Sequence, residues 1–260
     1  MTAMTAAAVA RGSAGTPIPF GRLVRTELRK LTDTRASRWL LAAIVAVTPI
    51  VVAVMLFAAK PHDLTYNKLV DYTQTPQKIL LPAIGILAMT SEWSQRTGLV
   101  TFTLVPNRGR VLRAKFTAVI ALGLLVIAVA FAAAALGNLL GGLRHGSGSW
   151  AFGGSGFGEI ALVQLTGLVQ GMAFGMALLA TPAALVFYYV VPNLWSLLFS
   201  TSALKHTAPW VDLTHAQTPL YTHSITGTGW VHLLAAATIW ILVPLVIGMV
   251  RVTRTEVKSG

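Results

Sequence analysis

Residues 160–204 read IALVQLTGLVQGMAFGMALLATPAALVFYYVVPNLWSLLFSTSAL, with no charged side chain between Glu159 and Lys205. At about 1.5 Å per helical residue, such a stretch is roughly twice the ~30 Å depth of a bilayer's hydrocarbon core. It must therefore double back as a helical hairpin. Thr181-Pro182, near its middle, is the expected turn, because a proline disfavours helix in the residue before it. Two membrane spans follow, at about 160–180 and 183–203.

The rest of the chain extends this pattern in both directions. Trp230 to Val250 is a further apolar run, a span at about 229–250. Upstream, Phe116 to about Leu140 gives a span at 115–140, and Trp39 to Ala59 gives one at 38–59. Between them Ile79 to Met89 is too short alone. It spans only by recruiting Thr75 to Lys78 at one end and Thr90 to Trp93 at the other, giving 75–93. The expectation is an all-α integral membrane protein with six transmembrane helices.

Composition agrees. The 260 residues are 55% hydrophobic and only 11% charged, with a mean hydropathy of +0.69. An average soluble domain is about 25% charged. The formal net charge of +12 is unevenly placed. Arg11, Arg22, Arg25, Arg29, Lys30, Arg35 and Arg38 precede the first span. Arg96, Arg108, Arg110, Arg113 and Lys115 lie between the second and third, and Arg251, Arg254 and Lys258 follow the last. Those three segments hold 15 of the 20 basic residues and fall on one face, which the positive-inside rule makes cytoplasmic, with both termini. The charge thus signals topology, and no nucleic-acid partner is expected. The absence of cysteine excludes disulfides and thiolate chemistry.

Residues 1–19 lack the apolar core of a signal peptide and are expected to be a disordered cytoplasmic tail. Residues 251–260 form a second tail. Over 20–36, Phe20, Leu23, Val24, Leu28 and Leu31 recur at helical spacing while Arg22, Arg25, Arg29 and Lys30 point elsewhere. This pattern predicts an amphipathic helix lying in the headgroup plane.

Gly167, Gly171 and Gly175 form a stripe that lets another helix approach closely, either within one subunit or across a dimer seam. Gly137 and Gly141 repeat the spacing once. Tyr188, Trp195 and Phe199 share one helical face with Pro192 between them. That face reads either as a substrate path for an apolar or amphipathic molecule or as ordinary packing and interfacial anchoring.

No span carries a charge near its centre, since Glu92 and Glu159 sit at span edges. This argues against a proton-coupled carrier. The polar side chains at membrane depth are Asn138, Gln164, Gln170 and Asn193, with no acid or base for an intramembrane enzyme. There is no phosphate-binding loop of the Gly-x-x-x-x-Gly-Lys-Ser/Thr type, so energy for any pumping must come from another polypeptide. A metal site built from His206, His215, His223 and Asp212 would have spacings that fit no standard ligand motif, and no metal is expected.

The segment from Glu92 to Lys115 is the most informative. Its apolar patch of Leu99, Val100, Phe102 and Leu104 ends at Pro106, and a basic run returns to the membrane. A short apolar element in a cytoplasmic loop calls for a groove on a partner. The loop resembles that of permease subunits of the type-2 class of ABC exporters. There an acidic residue ends the second span, followed by a Gly-Thr-like pair, an apolar stretch, a proline, basic residues and a lysine opening the third span. Glu92, Thr97-Gly98 (in reverse order), Leu99 to Leu104, Pro106, Arg108 with Arg110, and Lys115 match in sequence. Glu27-Leu28-Arg29-Lys30-Leu31, Arg35 and Trp39 fit at the start. Trp240, Pro244-Leu245, Gly248, Arg251, Arg254 and Glu256-Val257 fit at the end.

The resemblance covers nearly the whole chain. It implies a short cytoplasmic coupling helix between spans two and three, built from Glu92, Arg96, Thr97, Gly98, Leu99, Val100, Phe102, Leu104, Pro106 and Arg108. Glu92 is expected to pair with Arg96. The resemblance further implies two ABC-type ATPase subunits as partners, holding the ATP and Mg that this chain does not bind. It also implies a second permease copy, identical or not, and short helices between spans five and six that cap the exit. The function expected is export of a hydrophobic or amphipathic substrate. The alternatives are a membrane anchor or sensor that recruits an ATPase and, further off, a lipid-modifying enzyme.

Overall fold

The computed structural model describes residues 18–94, 107–144, 146–151 and 156–254. Among them there is no strand. The helices are α1 (Phe20–Asp33), α2 (Arg35–Ala58), α3 (Tyr66–Ser94), α4 (Arg108–Leu143), α5 (Gly156–Leu178), α6 (Thr181–Phe199), α7 (Ala208–Val211), α8 (Leu213–Tyr221), α9 (Gly227–Ala237) and α10 (Val243–Arg254). A 3-10 turn, Pro61–Asp63, precedes α3, and a π segment, Thr238–Leu242, joins α9 to α10 without a break.

Five helices are long and apolar enough to cross a membrane: α2, α4, α5, α6 and the continuous Gly227–Thr253. They mark the chain as a multi-pass membrane protein. Their outward surfaces stay apolar: Trp39 and Phe57 on α2 are each 77% exposed, and Ala184 is the only buried residue of α6. Water would not tolerate so much exposed apolar area, whereas acyl chains cover it.

Local signals set the boundaries. The Thr34 hydroxyl accepts from the Ser37 N–H at 3.3 Å and starts α2. The Asn107 side chain accepts from the Arg110 N–H at 3.0 Å and starts α4. Both are N-caps that satisfy orphan donors of a first turn. The α5–α6 turn falls at Leu179-Ala180, slightly before the expected Thr181-Pro182. Leu179 closes α5 with φ 54°, its N–H donating to the Gly175 carbonyl at 2.9 Å. Pro182 then sits in the first turn of α6 rather than ending a helix, a position where its missing N–H costs nothing. The amphipathic helix is as expected but stops at Asp33, because Thr34 is extended and turns the chain into α2.

The largest departure from expectation is α3. It begins at Tyr66, well before residue 75, and is less apolar than the five helices above. Lys78 is the thirteenth of its 29 residues. α3 is central. It packs most extensively on α5 and also on α4, α2 and α6. Leu81, Ile84, Ala88 and Met89 of α3 join Leu168, Met172 and Met176 of α5, with Val119, Val126 and Ile127 of α4, in one buried core.

The glycine stripe makes the α3–α5 contact possible. A Cβ on Gly171 would stand 2.4 Å from the Pro82 carbonyl oxygen, and one on Gly175 would stand 3.1 Å from that of Ile86. Gly85 of α3 answers from the other side, where a Cβ would meet the Leu168 carbonyl oxygen at 2.5 Å. The stripe therefore serves packing inside one chain, the first of its two sequence readings. Gly248 of α10 meets Met176 and Ala177 of α5 in the same way.

Candidate functional site

Two places in the fold concentrate polar chemistry, one at the C-terminal end of α3 and one at its middle. At its C-terminal end, four charged side chains from three helices meet. Lys30 Nζ lies 2.7 Å from Glu27 Oε1 and 2.9 Å from Glu92 Oε1. Lys115 Nζ lies 3.3 Å from Glu27 Oε2 and 3.3 Å from Glu92 Oε1, and donates to the Ala88 carbonyl at 3.1 Å. Glu27, Glu92 and Lys115 are buried; Lys30 closes the cluster on the solvent side. Two acids and two lysines balance, so each buried charge has at least two opposite partners, the condition under which burying ions is tolerable. Burial alone would depress Lys30, but Glu92 and Glu27 outweigh it and hold its ammonium above the ordinary lysine range.

The amphipathic helix is thereby locked onto the membrane-facing helices. Leu31 joins the main core, and Glu27, one turn earlier on the same face, enters the ion cluster. The expected pairing of Glu92 with Arg96 lies outside the described residues; among them its carboxylate engages Lys30 and Lys115, which approach from α1 and α4 and reach it inside the bundle. Arg96, Thr97, Gly98, Leu99, Val100, Phe102, Leu104 and Pro106 lie outside the described residues.

What the structure does describe is how both ends of that segment are held. On the near side stands Glu92. On the far side, Arg108 Nη1 donates to the Val252 and Thr253 carbonyls of α10 at 2.8 and 3.2 Å. Arg110 Nη2 donates to the Ile18 carbonyl, just before α1, at 2.5 Å. Arg251 of α10 donates to the Ala177 carbonyl at the end of α5 at 2.6 Å. The flanks of 95–106 are thus tied to α1, α4 and α10, and through Arg251 to α5.

The second place lies about 21 Å along α3 from Glu92, taking 1.5 Å per residue. A cavity of about 310 Å³ opens between α3, α5, α6, α8 and the π segment, lined by Lys78, Gln164, Gln170, Tyr188, Asn193, Asp212, Gln217, Tyr221 and Trp240 among others. Its polar groups divide into two kinds. Gln164 Nε2 donates to the Gln74 carbonyl and side-chain oxygen, both at 3.0 Å. Asn193 donates to the Tyr189 carbonyl at 2.6 Å, and the Tyr189 hydroxyl donates to the Ile79 carbonyl. Asp212 Oδ1 accepts from the Thr214 and His215 N–H groups at 2.9 and 3.3 Å, capping α8. Gln170, 6% exposed, and the Tyr188 hydroxyl make no hydrogen bond among the described residues. Lys78 Nζ lies 3.9 Å from the centre of the Tyr221 ring and has no ion-pair partner among the described residues.

The sequence-predicted aromatic face splits between two roles. Tyr188 lines the cavity, its hydroxyl placed where a Cβ on Gly167 would be 3.1 Å away, so Gly167 makes room for it. Trp195 does not line the cavity. It stacks on Phe199 and Trp240 at 5.0 and 5.7 Å between centroids, and donates to the Val211 carbonyl at 3.2 Å. Trp240 donates to that same carbonyl at 2.8 Å. Trp195 and Phe199 therefore pack the short helices α7 and α8 onto the bundle. The cavity residues absent from the sequence-based set are Lys78, Asp212, Gln217 and Tyr221. Gln164, Gln170 and Asn193 were recognisable as polar residues at membrane depth.

The histidines do not gather. His223 pairs with Glu159 at the start of α5, and Asp212 serves α8. Among the described residues, no three His, Asp or Glu side chains approach closely enough to hold a metal ion. Compared with models of protein families and with curated proteins, the chain matches none.

Proposed function

We propose that this chain is the membrane-spanning permease subunit of an ATP-driven exporter of hydrophobic or amphipathic substrates, powered by separate ABC-type ATPase subunits. The observation that carries the reading is the frame around 95–106. A loop that passes on a partner's movement needs both ends fixed to the elements that must move. Glu92 on one side and Arg108 with Arg110 on the other join it to α1, α4 and α10. Leu99, Val100, Phe102 and Leu104 supply the apolar surface for an ATPase groove, and Phe102 is its largest anchor. The two short helices α7 and α8 fit the capping elements that the resemblance implies between the last two spans.

In this reading α3 holds the second of six spans, with Thr73, Gln74, Gln77, Thr90 and Glu92 buried against neighbouring helices rather than facing lipid. The basic end is cytoplasmic, in the cell membrane, with both termini there. A second permease copy, identical or related, completes the transporter, and two ATPase copies hold ATP and Mg²⁺. Topology is checked by single cysteines at Ser94, Ser147 and Ser224 in this Cys-free chain. An impermeant thiol reagent added outside should label the last two only, and labelling of Ser94 would sink the six-span arrangement.

The coupling itself is tested by Phe102→Ala. The variant should reach the membrane normally. It should weaken capture of the ATPase subunit, or leave capture intact while separating substrate-stimulated hydrolysis from transport in vesicles. Unchanged pull-down and unchanged stimulation, with Phe102→Asp equally silent, would show that this loop does not join the two activities.

A further inference from the structure

The cavity beside α3 differs from an ordinary packing defect in one respect: its polar groups are not all used. Gaps between apolar helices are normally dry and lined by hydrocarbon. Here an ammonium group, an amide and a phenol converge with spare hydrogen-bonding capacity. Lys78 stands over the Tyr221 ring at 3.9 Å and no carboxylate among the described residues pairs with it. Two of the acids near it are engaged elsewhere: Asp212 caps α8 and Glu159 pairs with His223. Asp71, two turns away on the same helix, acts on Lys78 electrostatically but makes no ion-pair contact with it. Gln170, more than nine-tenths buried, faces the cavity with no hydrogen bond among the described residues, as does the Tyr188 hydroxyl.

With α3 read as a span, Lys78 is a half-buried cation at membrane depth with no ion-pair contact, and such a residue marks a candidate site. An isolated buried amide is likewise costly unless something pairs with it. Both costs are removed by one ligand that brings an anion to Lys78 and hydrogen-bonding oxygens to Gln170 and Tyr188. The remaining walls, Val163, Leu213, Pro192 and the Trp240 and Tyr188 rings, are apolar or aromatic and suit an uncharged body. At about 310 Å³ the space is at the lower end of small-molecule sites.

We infer that this cavity binds an acidic amphiphile, its carboxylate, sulfonate or phosphate against Lys78 and its apolar body between Tyr188 and Trp240. The acid group can belong to a free amphiphile or to a lipid headgroup. The inference does not rest on the proposed ATPase coupling; it needs only that the ligand can enter the cavity. Binding is measured without ATP or an ATPase, so its outcome is separate from that of the coupling experiment.

The full chain is reconstituted in phosphatidylcholine nanodiscs and titrated with 2-naphthoate, 2-naphthamide and 2-naphthylmethylammonium, with empty nanodiscs subtracted. Naphthoate should bind saturably and at least tenfold more tightly than the amide, with the ammonium weakest. Lys78→Gln should abolish the preference for the acid while leaving the amide unchanged, and Lys78→Arg should keep it. Gln170→Leu should weaken naphthoate several-fold. Trp39→Ala, on the outward face of α2, should change nothing. If Lys78→Gln fails to fold, the wild-type ranking of the three probes decides. Doping the nanodisc with phosphatidylglycerol separates the sources: competition with naphthoate assigns the acid to a lipid headgroup, and no competition assigns it to a free amphiphile. No saturable binding, equal affinity for acid and amide, or undiminished naphthoate binding by Lys78→Gln would overturn the inference.

Discussion

The C-terminal end of α3 and its middle treat charge in opposite ways. At Glu92, every buried charge has partners of opposite sign: Glu27 and Glu92 each face Lys30 and Lys115. At Lys78, the ammonium has an aromatic ring and only the electrostatic pull of Asp71 two turns away, and the Gln170 amide and Tyr188 phenol of the same cavity make no hydrogen bond among the described residues. A closed network of this kind has nothing left to offer a ligand and holds helices in register. An open one has its interactions still to make. The contrast separates a mechanical element from a binding element within one helix, although both look on paper like isolated charges beside apolar runs.

The sharpest way to break the comparison is to remove one charge from the closed network. Lys115→Met leaves Glu27 and Glu92 buried with Lys30 alone between them. Loss of one partner from a buried pair costs about 3–5 kcal/mol. A large fall in Tm in detergent is expected, and α1 should become accessible to protease. A Tm equal to wild type would mean the cluster does not hold α1 in place. Lys30 adds a pH sign to this. Its folded-state value is raised, so its contribution is fully present below the ordinary lysine range and is lost only as pH rises through the folded value. On the alkaline side the network therefore stays closed well beyond the physiological range, and α1 should detach in strong alkali.

A second test sits between the two sites, in the contact that fixes their spacing. Gly171→Ala forces a Cβ to within 2.4 Å of the Pro82 carbonyl, and overpacking of this kind costs about 1–3 kcal/mol. Gly227→Ala, with nothing within 4 Å, is the matched control and should leave Tm unchanged. If Gly171→Ala instead altered only the proportion of dimer, the stripe would be a seam between copies.

The smallest effect belongs to the open site. Gln170→Leu removes an amide that has no hydrogen bond among the described residues, so stability should stay level or rise by up to about 1 kcal/mol. A large loss of Tm would show that Gln170 is a structural group. The signs of Lys115→Met and Gln170→Leu should therefore differ, although both remove a buried polar side chain.

Much of this was legible along the chain, and the parts that were not have a common cause. Helix periodicity and apolar run length are local properties. The amphipathic α1, the hairpin of α5 and α6 and the glycine stripe could thus be read from residues a few positions apart. The helix that holds the expected second span starts before residue 75, because polarity ends an apolar run without ending a helix. Thr73, Gln74 and Gln77 of this stretch are buried against neighbouring helices, while Asn67, Lys68 and Asp71 stay exposed. Tyr188, Trp195 and Phe199 do share a face. The placement of α8 and the π segment decides that only Tyr188 meets the cavity.

By itself the sequence determined a helical, multi-pass membrane protein with an amphipathic leader, because hydrophobic periodicity encodes helices turn by turn. Glu27, Lys30, Glu92 and Lys115 could each be seen beside apolar runs, but nothing along the chain joined them. Only the tertiary structure decided that they meet. Glu92 is 62 residues from Lys30, and no spacing rule spans that distance. Nearby Arg96 was the natural local partner, but pairing inside the bundle follows which helix ends packing brings together. The same reason separates Lys78 from the other four basic residues expected on its side. Only the crossing of α3 with α5 and α6, and the docking of α8 over it, places that ammonium in a cavity.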